Sequence, residues 1–306
     1  MENYLNTGTA QKNPFFQGLN FGSLYSPQVQ GKMNAAAFMS GSGSNFEEMY
    51  GLEKRLGNNA PYKIKVVVTD TTKGYINAGK IIQRVTGNQD TIPRIFLKPS
   101  VIIDERFKGK DNPLKERGRT QYDMAVIEEL DSHNVNFGIL AGYMRLLSTD
   151  FITRLGFNNV HPSPLNVINK FTGEREFTGD NAVRDQILAG RNYLQSTVNV
   201  ARAGADTGEI LMISNKSNID LGGYSLDDLR NNDDLLNKII SSNQDRLKKI
   251  GDLDIFPKSM ILTALGKYKF NPNGKLMFND VVKFKNSSEM KMDEFNRALK
   301  HLSIRV

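Results

Sequence analysis

The sequence predicts an α/β protein with an open, mostly parallel sheet and helices on both faces. Three observations carry this expectation. From Met33 onward short apolar runs alternate with amphipathic segments, the pattern of strand–helix–strand units. No internal repeat, low-complexity block or Pro/Gly-rich linker cuts the middle of the chain. The 306 residues, 39% hydrophobic and 24% charged, suit a globular core and exclude disorder, collagen and coiled coil.

The elements follow in order. Apolar runs at 34–39, 63–69, 94–97 and 135–140 read as buried strands, and the helical patterns between them fall at 46–56, 78–85 and 121–133. In the last of these helices Met124, Ile127 and Leu130 recur at three-residue spacing and mark the expected buried face. The second half continues with strands at 158–160, 197–202 and 210–214 around a helix at 182–189, then helices at 225–243 and 259–265. Residues 268–278 hold Asn271-Pro-Asn-Gly274 between apolar or aromatic runs and read as a hairpin, and a short amphipathic helix is expected at 292–302.

The expected organisation is an N-terminal extension over 1–33, a catalytic domain over 34–270, and a basic C-terminal hairpin and helix extension over 271–306. Within the domain, 34–150 and 151–270 are the two expected halves. The chain has no cysteine, which removes disulfides, thiolate metal ligands and a Cys nucleophile. With one basic residue, Lys12, and no continuous apolar run, the first thirty residues fit neither a signal nor a transit peptide, and no stretch approaches the ~20 apolar residues of a membrane span. The expected location is the cytoplasm, with no membrane partner. The net charge is +7, and residues 266–306 hold nine basic and four acidic side chains. Such a balance suits a phosphorylated or carboxylated small ligand as well as nucleic acid.

Ser40-Gly41-Ser42-Gly43-Ser44-Asn45 lies between the first strand and the first helix. Glycines there let the backbone approach an anion, and the free N–H groups and dipole of the helix start favour negative charge. Position 46 is Phe, so the dinucleotide pattern G-x-G-x-x-G fails, and the P-loop ending Gly-Lys-Ser/Thr is missing. The expectation is a lone phosphate, against the plain alternative of a tight turn with a helix cap.

The chain has three histidines. His133 closes a helix in Asp131-Ser-His-Asn134 and His301 lies in the basic terminal segment, so both read as surface or capping residues. His161 stands where a brief apolar element stops at Pro162, and Asn159 projects on the same side if that element is extended. An imidazolium and a carboxamide can both donate to an oxyanion forming on a carbonyl under attack. Asp206, in the turn Ala203-Gly-Ala-Asp206-Thr-Gly208, is the carboxylate that would favour the charged ring and order a proton-carrying water. Taken singly, a histidine before proline is more often a satisfied structural residue, and Asp-x-Gly is among the commonest turn sequences. No second nearby His or Cys offers metal-ligand spacing.

Together these pieces resemble the 10-formyltetrahydrofolate-dependent formyltransferase family. The resemblance spans about 34–270 and rests on the Ser-Gly-Ser-Gly-Ser-Asn loop, on Gly138-Ile-Leu-Ala-Gly-Tyr-Met-Arg-Leu-Leu-Ser148, on Asn159-Val-His-Pro-Ser163 and on Asp206-Thr-Gly208, in that order. It implies a Rossmann-like formyltransferase fold and transfer of a formyl group from 10-formyltetrahydrofolate, a co-substrate, to the primary amine of glycinamide ribonucleotide, with no metal. It implies that Asn159, His161 and Asp206 are catalytic, and that Gly41, Ser42, Gly43, Ser44 and Asn45 hold the substrate phosphate. It implies that Met144, Arg145, Leu146 and Leu147 border the folate, with Arg145 and Arg119 toward its glutamate tail. Asp252, in Asp252-Leu-Asp-Ile-Phe-Pro257, stands where the family has a glutamate touching the ribonucleotide. The chain departs from the family after His-Pro-Ser, where Pro164-Leu165-Asn166 and a longer segment through Gly179 replace a histidine-containing stretch. Alternatives are a formyltransferase for a nucleotide-linked amino sugar, which needs a different acceptor pocket, and a basic nucleic-acid-binding protein on the same scaffold. The expected partners are the phosphorylated amine acceptor and the folate rather than nucleic acid, with the protein a monomer or homodimer.

Overall fold

The computed structural model describes residues 23–87, 91–109, 111–270 and 276–278. In chain order the elements are α1 (Pro27–Gln30), β1 (Met33–Met39), α2 (Ser44–Leu56), β2 (Tyr62–Thr69), α3 (Thr72–Thr86), β3 (Arg94–Phe96), α4 (Pro99–Ile102), α5 (Lys115–Asp131), β4 (Phe137–Leu140), α6 (Thr149–Arg154) and β5 (Phe157–His161). The chain continues through α7 (Ala182–Leu188), β6 (Tyr193–Leu194), β7 (Thr197–Val200), β8 (Ile210–Ile213), β9 (Ser217–Asn218), α8 (Leu226–Arg230), α9 (Asp233–Leu247), α10 (Leu253–Ala264), β10 (Tyr268–Phe270) and β11 (Leu276–Phe278).

Seven strands form one sheet in the order β3-β2-β1-β4-β5-β7-β8. The pairs from β3 to β5 are parallel, and β7 runs antiparallel to both β5 and β8. The central strand β1 explains why the sheet is covered twice. Met33, Ala35, Ala37 and Met39 face a cluster with α2, α3 and α10, while Ala36 and Phe38 face a second cluster with α5 and α6. Phe38 sits among Tyr143, Phe151 and Phe157, with ring centroids 5.5, 5.9 and 5.5 Å away. A third cluster joins α7, α8 and α9 through Val183, Ile187, Leu229, Leu236 and Ile239.

The structure corrects the sequence reading in particular places. On α5 the buried residues are Tyr122, Asp123, Val126, Ile127 and Leu130, whereas Met124 is 43% exposed. The true period is hidden because Asp123, a charged residue, occupies the core face, where its Oδ2 accepts the Ser148 N–H at 2.5 Å. The single helix expected over 225–243 is two. Ser225 and Asp228 form a capping box at the start of α8, and the Asn232 side chain accepts from the Leu235 N–H to start α9 afresh. The strand expected over 197–202 ends at Val200, because the turn leading to Asp206 begins there. Leu24 and Tyr25 are buried in the main core, and the Leu24 N–H donates to the Tyr268 carbonyl at 2.9 Å. Leu24 and Tyr25 thus anchor the end of the expected extension to the main core, while α1 buries none of its residues. β10 and β11 pair antiparallel as the hairpin reading requires. The turn at 271–275, residues 1–22 and the helix expected at 292–302 lie outside the described residues.

Candidate active site

The carboxyl ends of the parallel strands lie along one rim of the sheet, where open α/β sheets bind ligands. Ser40 follows β1, residues 141–147 follow β4, and His161 ends β5. Two direct bonds stitch the first two rims together: the Ser40 N–H donates to the Gly142 carbonyl and the Met144 N–H to Ser40 Oγ, both at 3.1 Å.

In the glycine loop Gly43 is left-handed, with φ 76°, and is the residue from which α2 starts without a side-chain cap. A Cβ there would stand 2.6 Å from Met39 Cε and 2.7 Å from Ile81 Cδ1, so only glycine lets the loop lie against the core. Thr71 Oγ1 donates to the Ser40 carbonyl, and Asn77 Nδ2 donates to that of Gly41 at 3.1 Å. Those bonds take the loop's carbonyls and leave the helix start facing outward. A Cβ at Gly41 would meet nothing within 4 Å.

Asn159 and His161 do project from the same side of β5, while Asn158, the residue before them, turns the other way and donates to Thr263 Oγ1 on α10 at 2.8 Å. One carboxylate joins the pair. Asp206 Oδ2 lies 3.2 Å from His161 Nδ1, and Asp206 Oδ1 lies 3.4 Å from Asn159 Nδ2. The other ring nitrogen, Nε2, is 3.0 Å from the Phe177 carbonyl oxygen. Both ring nitrogens thus face oxygens able to accept a hydrogen bond. The Asn159 amide is held loosely, at 3.4 Å from Asp206 and 3.5 Å from Asn199 Oδ1, which leaves its N–H groups available to a ligand. Gly208 lets the aspartyl turn close on β7, since a Cβ there would fall 1.7 Å from the Val200 carbonyl oxygen.

Asp252 lies on a wide turn over Lys248–Asp252 that precedes α10. Its carboxylate accepts from Ser196 Oγ at 2.5 Å and from the Asn45 side chain, so it ties the glycine loop to the second half of the chain. Burial pushes its pKa above the ordinary carboxylate value, against the pull of Ser196, Lys248, Asn45 and His161. Asn45 Oδ1 is buried and has no partner among the described residues.

Of the residues assigned to the folate, Arg119, Met144, Arg145 and Leu146 line one cavity of about 350 Å³. Met144 and Leu146 are 65% and 45% exposed, whereas Leu147 is buried in the core beside Phe151. The Arg145 guanidinium lies over the Tyr122 ring, 4.4 Å from its centroid, and Arg119 donates to Glu116 at 2.7 Å. The two expected halves of the domain both contribute to this region. Arg119 and 144–146 come from the first half, and Asp252 from the second half meets Asn45 from the first. The reason is the parallel sheet, which collects strand ends from the whole chain on one rim.

Residues 33–234 match the formyl transferase family. The chain belongs to this family. Phosphoribosylglycinamide formyltransferase of Bacillus subtilis is 30% identical over 178 residues, covering 58% of this chain and 75% of that one. The trifunctional purine biosynthetic protein adenosine-3 of Homo sapiens is 22% identical over 247 residues, 80% of this chain, which spans only 20% of its length. Among solved structures, glycinamide ribonucleotide transformylase 1 from Symbiobacterium toebii matches 81% of this chain and 94% of its own, with TM-score 0.57 and 22% identity. The phosphoribosylglycinamide formyltransferase from Coxiella burnetii matches 85% and 99%, with TM-score 0.57 and 16% identity. These structures share the fold, an open and mostly parallel sheet between helices.

Several residues at this candidate site were not singled out from sequence. Phe177 and Gly179 supply backbone groups, Arg175 a guanidinium, Ser196 a hydroxyl, and Lys108 and Lys115 line the cavity beside Arg119. The one sequence signal for the first three is that 164–179 departs from the family pattern directly after the histidine. Among the described residues no group of three or more His, Asp or Glu side chains is placed to hold a metal, and no helix is long and apolar enough to cross a membrane.

Proposed function

We propose that the chain transfers the formyl group of 10-formyltetrahydrofolate to the primary amine of glycinamide ribonucleotide, a step of de novo purine synthesis in the cytoplasm. Family membership and the activities of its relatives from Bacillus subtilis and Homo sapiens, as their names give them, support the reaction class. The observation that carries the assignment of residues is the single Asp206 carboxylate with His161 on one oxygen and Asn159 on the other.

In this reading the glycine loop and the start of α2 hold the phosphate, with Asn45 and Asp252 beside it on the ribonucleotide. The folate lies along 144–146 with its glutamate tail toward Arg145 and Arg119. The amine nitrogen attacks the formyl carbon. Its C=O π pair moves onto oxygen, and the resulting oxyanion receives N–H bonds from His161 and Asn159. The formyl oxygen takes the place at Nε2 that the Phe177 carbonyl holds in this structure. The tetrahedral adduct collapses as the bond from the formyl carbon to the folate nitrogen breaks, and Asp206 orders the water that carries the proton from the attacking nitrogen to that departing nitrogen. Preorganised donors of this kind act because they are fixed before charge develops.

The test is an initial-rate absorbance assay with a 10-formyl folate donor and two acceptors, glycinamide ribonucleotide and an amino-sugar nucleotide. Turnover with glycinamide ribonucleotide alone is expected. Turnover only with the amino-sugar nucleotide, or saturable binding of nucleic acid with a steep salt dependence and no folate turnover, would overturn it.

A further inference from the structure

The segment that departs from the family is a small hairpin leaning on the aspartyl turn. Its ladder closes on itself: the Asn169 N–H donates to the Glu174 carbonyl at 2.8 Å, the Glu176 N–H to that of Val167 at 3.0 Å, and Ile168 bridges Arg175. Nothing in that ladder requires the Arg175 side chain. Its guanidinium nevertheless reaches across to donate to the Asp206 carbonyl oxygen. Four residues along, the Gly179 N–H donates to Asp206 Oδ2 at 2.8 Å. The hairpin and its exit thus grip one residue at both ends, main chain and carboxylate.

Asp206 is a residue that needs gripping. Its φ is 54°, in the left-handed region that is unfavourable for residues other than glycine, and such conformations persist where surroundings over-determine them. Arg175 is half-buried and makes no ion pair with a carboxylate among the described residues. Glu209, the other acid near enough to act on it, is held through two oxygens by Arg202 at 2.9 and 3.0 Å. A guanidinium partly desolvated onto a single carbonyl is a costly arrangement for stability alone.

We propose that Arg175 is a positioning residue for Asp206, holding the left-handed aspartyl turn so that one carboxylate oxygen meets His161 and the other Asn159. This rests on the proposed function above. The experiment is a double-mutant cycle read in kcat and in KM for donor and acceptor, with folding of each variant checked by circular dichroism. Arg175→Ala is expected to lower kcat about tenfold with both KM values within about twofold, and Arg175→Lys, which keeps one donor, to restore most of it. In an Asp206→Ala background Arg175→Ala should cost nothing more, because the group it positions is gone. Arg175→Met, which keeps the aliphatic stem, is the variant to read if the alanine chain fails to fold. A further tenfold loss on top of Asp206→Ala, a loss confined to KM, or full turnover in Arg175→Ala would overturn the inference and leave the proposed function standing. Unchanged turnover in Asp206→Ala alone would overturn the inference together with the role given to Asp206, whereas absence of formyl transfer in the parent chain would overturn the proposed function.

Discussion

The two ends of the site are built in opposite ways. Around His161 the polar atoms are taken: Nδ1 by Asp206, Nε2 by the Phe177 carbonyl, and that same carbonyl again by Ser163 Oγ at 2.5 Å. Around Arg145 the cavity is open, its apolar wall of Met144 and Leu146 exposed and its cation stacked on a ring rather than paired with a carboxylate. The difference separates two tasks. Groups that meet charge in the transition state gain from being held rigid beforehand, whereas groups that hold a long flexible substrate only need to be within reach.

Substitutions at the two ends should therefore split kcat from KM. The largest effect is expected for His161→Ala, which removes the proposed oxyanion donor. Turnover should fall by about 10²–10³, close to 3 kcal/mol, with little change in KM, and steady-state kinetics on both substrates would check it. An equal rise in KM would show that the closed end also holds the ground state, and the contrast would collapse. Arg145→Ala at the open end should raise KM for the folate donor about tenfold while leaving kcat within about twofold, as expected for one lost charged contact. A matching fall in kcat would mean that the cavity takes part in the chemistry.

Asp252 sharpens the comparison through pH. Its pKa in the folded chain is raised by burial, so its contribution to stability is complete below the unfolded carboxylate value, about 4, and is lost as pH rises through the folded value. Asp252→Asn keeps an acceptor for Ser196 and removes the titration. Its melting temperature should exceed that of the parent at neutral pH, with the gap closing as pH falls toward 4. A gap that is constant across this range in thermal scans would place the burial cost elsewhere. The smallest effect is expected for Phe171→Ala. Phe171 lies at the hairpin tip, 99% exposed, and its removal should shift stability by less than about 0.5 kcal/mol and turnover by less than twofold. A large loss of turnover would show that the tip, and not only the base at Arg175, Phe177 and Gly179, serves the closed end.

Much of the fold could be read locally. Stretches such as 35–39 and 66–68 are apolar on both faces because each lies between two layers of helices, and that shows without neighbours. Asp123 shows where local reading breaks down: a buried acid looks like a surface position until its partner, the Ser148 N–H, comes from another element. The same holds for Leu24 and Tyr25, which looked like part of an aperiodic extension because the surface that buries them is built from residues more than a hundred positions away. At the site, Asn159 and His161 were legible as a pair through the two-residue period of a strand. Arg175 and Phe177 were not, since neither residue type in a loop announces a contact with a histidine or an aspartate.

Sequence alone determined the α/β class, the glycine loop at a helix start and the composition of the trio, because strand period, turn chemistry and residue type are local properties. Tertiary structure alone decided that a single carboxylate bridges imidazole and carboxamide, that a hairpin carbonyl caps Nε2, and that Asp252 joins Asn45. Each of these is a distance between segments far apart in the chain. Such distances are set only when the parallel sheet brings its strand ends to one rim and the core locks their register.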